Sequence, residues 1–280
     1  FLTFLSFILK CIPRRMALYF GKSWGFLMYY IFPLRKNVAY KNLQIVFKNK
    51  SKSELNKIIL RTYMHYGLIM TDFIRNSSSE IDKKIFTLKQ NSLDILNSKD
   101  GIILMTAHIG NWEMILPIIG NYKKIMAVVK EQTNAGGDIF FHKARSFKNV
   151  ELISKKSSKR KMLKALKNNY VLGLASDQNA KFRGVYVDFF NKPTSIPKGA
   201  GYFHYHTKHK IALCFCILNK NLSYDFKIEY LNIEKYNIEQ KEDIIVKINE
   251  IYTKKLENEI LKHPEQYFWF HRKWDKSLYV

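Results

Sequence analysis

Residues Gly101-Ile102-Ile103-Leu104-Met105-Thr106-Ala107-His108-Ile109-Gly110-Asn111-Trp112-Glu113 run from an unbroken apolar stretch into a short polar turn. Gly101 to Thr106 reads as a buried strand, and Trp112 to Ile119, which follows it, as a helix. The alternation continues: Ile125 to Lys130 is a second strand, Lys159 to Asn168 a helix, and Val171 to Ser176 a third strand. Ile211 to Leu218 and Tyr224 to Tyr230 add two more, and Ile244 to Ile260, with apolar steps of four, a closing helix. Short apolar runs separated by helical patterns predict an α/β fold, a central mixed sheet with flanking helices. In such sheets the polar residues just past strand ends line the ligand crevice. His108 follows one strand and Asp177 another, so the topology allows both at one edge.

Upstream of this core, apolar residues from Leu55 to Phe73 recur at three- and four-residue steps, which predicts an amphipathic helix over Glu54 to about Arg75, ended by Ser77-Ser78-Ser79. Phe1 to Phe32 is the most hydrophobic stretch, yet Lys10, Arg14, Arg15 and Lys22 interrupt it. No run of roughly 18 to 20 apolar residues is left to span a bilayer. The stretch reads as a monotopic helical anchor, with apolar faces in the interface and Lys or Arg reaching the head groups. A cleaved secretory signal fits poorly, because no small-residue cleavage pattern follows the apolar run. The chain opens on Phe1 rather than Met, which leaves room for a spanning helix ahead of it.

Composition narrows the partners. The 280 residues suffice for one large core, and a hydrophobic content of 47% with 15% aromatics excludes a disordered chain. Forty-seven basic against 23 acidic residues give a net charge of +24, which favours an anionic surface or ligand. The first 50 residues hold nine Lys or Arg and no acid, interleaved with aromatic and aliphatic side chains. That mixture suits a membrane surface better than nucleic acid, for which no binding signature is present. Cys11, Cys214 and Cys216 give no disulfide framework. Cys214 and Cys216, two apart in a strand, share one face and read as small core residues, and no further Cys or His stands nearby at metal-ligand spacing.

His108 and Glu113 are five positions apart. If His108 sits on a turn before a helix, Glu113 folds back onto the imidazole, orients it and stabilises its protonated form, and the other ring nitrogen takes a proton from a hydroxyl. The spacing alone is common in structural contexts. Its neighbours are more specific: His108-Ile109-Gly110-Asn111-Trp112-Glu113 resembles the His-x4-Asp/Glu signature of the bacterial lipid A late acyltransferases, the lauroyl/myristoyl acyltransferase family. Arg35 to Phe47 with Asn42-Leu43, Ser176-Asp177-Gln178, Val187 to Pro193, and His263 to Trp274 resemble further elements of that family in the same order.

The resemblance implies an acyltransferase-like domain over 35–280 behind an interfacial segment over 1–34. It further implies transfer of a fatty acyl group from an acyl carrier protein thioester to a hydroxyacyl chain of a lipid A precursor, at the cytoplasmic face of the inner membrane. No cofactor is implied beyond that co-substrate. In this reading His108 is the general base and Glu113 holds its ring. Arg145 stabilises the thioester oxyanion, and Asp177, Gln178 and Asn111 contribute to substrate binding. His271 and Arg272 among Trp269, Phe270 and Trp274 suit an interface belt or a lipid phosphate contact. The basic run Lys155, Lys156, Lys159, Arg160, Lys161, Lys164 and Lys167 is either a solvated face or a docking surface for the acidic carrier. Glycerol-phosphate acyltransferases share His-x4-Asp, but their Glu-Gly-Thr-Arg element is missing here. Acylation of phosphatidylinositol mannosides, coenzyme A as donor, and a non-catalytic basic binding protein remain as alternatives.

Overall fold

Nine residues in a row from Ile102 to Gly110 form β2, and almost all are buried, as a parallel strand covered on both faces requires. In the computed structural model, which describes residues 2–76, 81–130, 134–154 and 157–279, this strand lies at the centre of a seven-stranded sheet. The strands are β1 (Phe86–Leu88), β2, β3 (Ile125–Val129), β4 (Val150–Ser154), β5 (Val171–Ala175), β8 (Ile211–Leu218) and β9 (Tyr224–Tyr230). Their spatial order is β1-β9-β8-β2-β5-β3-β4. Five of them, from β8 through β4, are mutually parallel, while β9 runs antiparallel to β8 and β1 follows β9. A small antiparallel pair, β6 (Val185–Asp188) and β7 (Pro193–Ile196), stands apart.

The helices are α1 (Leu2–Cys11), α2 (Arg14–Ile31), α3 (Lys36–Val46), α4 (Lys52–Arg75), α5 (Gln90–Leu96), α6 (Ile115–Gly120), α7 (Ala135–Ala144), α8 (Lys159–Lys167), α9 (Gly199–Thr207) and α10 (Lys241–Lys262). Side chains alternate along the strands, so the sheet has two cores. Ile103, Met105 and Leu172 pack with Phe203 of α9 and Ile248 of α10, whereas Ile102, Leu104 and Val171 pack with Ile115 and Ile118 of α6. Cys214 and Cys216 are buried on β8 in the second core.

Helix α4 begins with a capping box: Ser51 accepts from the Glu54 N–H while the Glu54 carboxylate accepts from the Ser51 N–H. It ends at Arg75 with Asn76 as C-cap; Ser77-Ser78-Ser79 lie outside the described residues. Helix α2 lies against α4 along a glycine seam. A Cβ on Gly67 would sit 2.0 Å from the Gly21 carbonyl oxygen, and one on Gly25 2.2 Å from that of Tyr63, so only hydrogen fits at the crossing. Leu18 and Tyr29 of α2 join the two cores. Phe4 and Phe7 of α1 and Phe20, Trp24, Leu27 and Ile31 of α2 are all exposed. Among the described residues, no helix is long and apolar enough to cross a membrane.

Candidate active site

The C-terminal end of β2 is pinned before it turns. Thr106 donates its hydroxyl to the Cys214 carbonyl at 3.0 Å, and its own carbonyl accepts from the Tyr252 hydroxyl at 3.0 Å. Between Thr106 and Gly110 the register with β8 shifts, and Gly110 adopts φ +62° with the Cys216 carbonyl packed where a Cβ would stand. This irregularity sets His108 at the strand's end. Its carbonyl accepts from the Phe268 N–H at 2.9 Å, and its ring packs against Trp112, with centroids 5.1 Å apart.

The carboxylate on that ring is Asp177, two residues past β5. Nδ1 of His108 lies 2.8 Å from Asp177 Oδ1, and the His108 backbone N–H donates to Oδ2 at 3.2 Å. With Nδ1–H donating to the carboxylate, the lone pair of the neutral imidazole belongs to Nε2. Burial pulls the His108 pKa down, but the charge and hydrogen bond of Asp177, helped by Glu113, outweigh it and hold the imidazole above its ordinary value. Burial likewise pushes Asp177 up, and His108 together with Lys273 holds it well below the usual carboxylate range. The Lys273 ammonium donates to the Asp177 carbonyl; burial lowers its pKa to about 8.

Glu113 does not fold back onto His108, which corrects the expectation from spacing. Beyond the Gly110 turn the chain enters a short 3-10 turn, Trp112–Met114. There the Glu113 carboxylate meets Arg145, just past α7, in a bidentate pair: Nε to Oε2 at 2.8 Å and Nη2 to Oε1 at 2.7 Å. The Trp112 indole N–H also donates to Oε1 at 3.1 Å. Arg145 lies over the Phe73 and Phe141 rings; burial disfavours its charge, yet Glu113 keeps its pKa raised.

Asn111, expected either at the substrate or in shaping the turn that presents His108, lies within the turn and does not line the cavity described below. It is fully buried, and its amide donates to the Tyr224 hydroxyl at 2.8 Å, which donates to Asp72 of α4 at 2.6 Å. Asp72 in turn holds Arg14 of α2 through both oxygens, the shortest contact being 2.6 Å. His65 of α4, held neutral because burial lowers its pKa to about 4, donates from Nε2 to the Gly110 carbonyl at 3.3 Å. Gln178 is exposed and lines the cavity described below. The expected interface belt is also corrected: Trp269, Phe270 and Trp274 are buried, and His271 accepts from the Asn179 N–H at 3.1 Å, bracing the segment after Asp177.

Sequence reading missed Asp72, Tyr224, His65 and Lys273. Asp72 alone carried a signal, an acid between Thr71 and Phe73 on the apolar stripe of an amphipathic helix.

His108, Glu113, Arg145 and Gln178 all line one cavity of about 1010 Å³. Its walls are mainly apolar, among them Leu104, Ile115, Ile125, Met162, Phe203 and Ile245, and cations Lys159, Arg183, Lys198 and Lys241 stand around it. A greasy chain and an anionic group therefore both find complementary surface beside an oriented imidazole. Among the described residues, no group of three His, Cys, Asp or Glu side chains is placed to hold a metal ion. A comparison with curated proteins gives no match. The model of the family described as bacterial lipid A biosynthesis acyltransferase matches residues 1–276. That match runs through every element just described, from the seam of α2 to the braces behind Asp177, and the chain belongs to the bacterial lipid A biosynthesis acyltransferase family.

Proposed function

We propose that the protein transfers a fatty acyl group from an acyl carrier protein thioester to a hydroxyl on a hydroxyacyl chain of a lipid A precursor, with His108 as general base. The observation that carries this reading is the His108–Asp177 pair at an apolar cavity in a chain of this family. Nε2 of His108 removes the acceptor's hydroxyl proton as the oxygen attacks the thioester carbonyl. The tetrahedral oxyanion collapses, the C–S bond breaks, and the leaving thiolate takes the proton from the imidazolium. No acyl-enzyme forms. Arg145, fixed by Glu113, supplies positive charge beside the oxyanion, so Glu113 acts through Arg145 and at longer range on the imidazole.

Residues 1–34 hold the enzyme on the cytoplasmic face of the inner membrane. The exposed apolar face of α1 and α2 enters the interface, and neighbouring Lys and Arg meet head groups. The basic side of α8 receives the acidic carrier; Lys155 and Lys156, read with it in the sequence, lie outside the described residues.

The test is labelled acyl transfer by wild type and His108→Ala. The substitution abolishes transfer while folding and vesicle binding persist; full retention of transfer overturns the reading. Offering a lipid A precursor beside a phosphatidylinositol mannoside, and carrier-linked beside coenzyme A-linked donor, separates the acceptor and donor alternatives.

A further inference from the structure

The register of the sheet turns the apolar part of the cavity into a slot whose depth depends on very few side chains. Leu104 of β2 stands beside Gly173 of β5, and Gly173 beside Ala127 of β3, so these three form one row across parallel strands. All three line the cavity. Two residues toward the catalytic end, Thr106 and Ala175 are neighbours on the same face and line it too. Two residues the other way, Ile102, Val171 and Ile125 form the next row; each is fully buried.

Successive rows on one face of a sheet are about 6.6 Å apart, so the Thr106 and Ile102 rows stand roughly 13 Å apart, and the cavity ends above the buried Ile102 and Val171. Ile115 and Leu116 cover it from the α6 side. His108 and Asp177 stand at its open end, each two residues beyond Thr106 and Ala175. Pairing of β3 with β5 stops at Ala127 and Gly173, which parts the strands toward that opening. The middle row is filled on one side only: Leu104 closes the β2 side, while Gly173 contributes no side chain and Ala127 only a methyl, between a full row of Ile and Val below and the chemistry above.

We propose that this slot receives the acyl tail of the donor, and that Gly173 sets the chain length accepted; the inference rests on the acyl-transfer reading above. A blind slot with a closed apolar floor fits a thioester whose single linear tail hangs below the reacting carbon. It does not fit the acceptor. A hydroxyl partway along a chain has substituents on both sides and needs a through passage. The other lobe, between Met162, Phe203 and Ile245 with Lys198 and Lys241 beside it, offers anionic head groups their counter-charges.

Gly173 is open to substitution. A Cβ built there meets its nearest neighbour, Ile125 Cδ1, at 3.5 Å and the next at 3.7 Å and 3.8 Å, ordinary van der Waals distances. Gly173→Ala therefore fills space without moving backbone, and Gly173→Val, favoured in a strand, reaches further into the slot. The experiment measures kcat/KM for carrier-linked donors of graded chain length with wild type, Gly173→Ala, Gly173→Val and Ile125→Ala. The optimum moves to shorter donors in the order Ala then Val, with roughly fourfold loss per methylene displaced, and to longer donors in Ile125→Ala. The ranking of acceptors by chain length stays fixed.

An unchanged donor optimum in all three variants, or a shift that follows acceptor length instead, overturns the proposal. If wild type transfers no acyl group from any donor, it is the functional reading that fails. The slot is then judged by thermal stabilisation with free fatty acids of graded length, and an identical length ranking in wild type and Gly173→Val rejects it.

Discussion

The imidazole of His108 and the carboxylate of Asp177, 69 positions apart in the chain, meet through a ring hydrogen bond of 2.8 Å and a backbone hydrogen bond of 3.2 Å. The acid that orients the imidazole thus follows the neighbouring strand and does not come from the motif's own turn. A His108 that acts as the proposed base works only when neutral, so transfer is expected to be lost as pH falls through its raised pKa and to be complete above it. In Asp177→Asn the burial that lowers the imidazole pKa is no longer opposed by that charge. The acidic limb of the pH–rate profile shifts to lower pH, and the plateau falls by about 10²- to 10⁴-fold as ring orientation is lost. A limb that stays in place removes Asp177 from the mechanism.

The same pair makes stability depend on pH. Asp177 is depressed, so its contribution is present above the ordinary carboxylate range and lost as pH drops through and below it. His108 is raised, so its contribution is present below its ordinary value and lost as pH rises through the folded one. Wild-type Tm accordingly falls on both sides of mildly acidic pH. Asp177→Asn flattens the alkaline fall, which thermal unfolding from pH 4 to 9 records.

Glu113 and Arg145 form a bidentate pair with little exposure. Removing one partner of a buried pair strands the other, so Glu113→Ala costs about 3–5 kcal/mol in stability. Glu113→Gln combined with Arg145→Met recovers much of the Tm but none of the activity. If Glu113 held the imidazole directly, Glu113→Gln would displace the acidic limb as far as Asp177→Asn does; the geometry calls for a smaller displacement.

The Tyr224 hydroxyl joins Asn111 to Asp72. Tyr224→Phe leaves the Asn111 amide unpaired in a buried site, a loss of about 1–3 kcal/mol. Denaturant unfolding measures the loss. Because the Gly110–Asn111 turn loosens, kcat falls more than KM rises; equal effects on both would place the network's role elsewhere.

Reversing Lys159, Arg160 and Lys161 to Glu raises the apparent KM for carrier-linked donor severalfold at low ionic strength. The effect fades as the Debye length contracts to about 8 Å. An unchanged KM at low salt rejects carrier docking on α8.

The strands over 101–106, 125–130, 171–176 and 211–218 were readable as short apolar runs, that over 224–230 by its alternation of apolar and charged residues, and α4, α8 and α10 because their apolar steps repeat. That His108 and Gln178 line one cavity follows from the rule about strand ends, whereas Arg145 reaches it from the end of α7 and was named only through the family resemblance. Partner choice was not readable. Which carboxylate meets His108 depends on the β2–β5 register and on the shift before Gly110, and no local spacing encodes either. Nor does a sequence show that Tyr224 and Asp72, 152 positions apart, share a hydrogen bond. The 3-10 turn at Trp112–Met114 broke the helix expected from residue 112, and with it the premise that Glu113 reaches back.

The glycine seam between α2 and α4 brings two backbones into direct touch, with Arg14 clamped to Asp72 at one end. Backbone packed on backbone there, with the Tyr29 and Tyr63 rings meeting beside it, leaves α2 little room to slide along α4. The greasy outer face of α2 is consequently a fixed keel, and whatever angle it takes on an apolar surface is the angle at which the mouth beside His108 meets that surface.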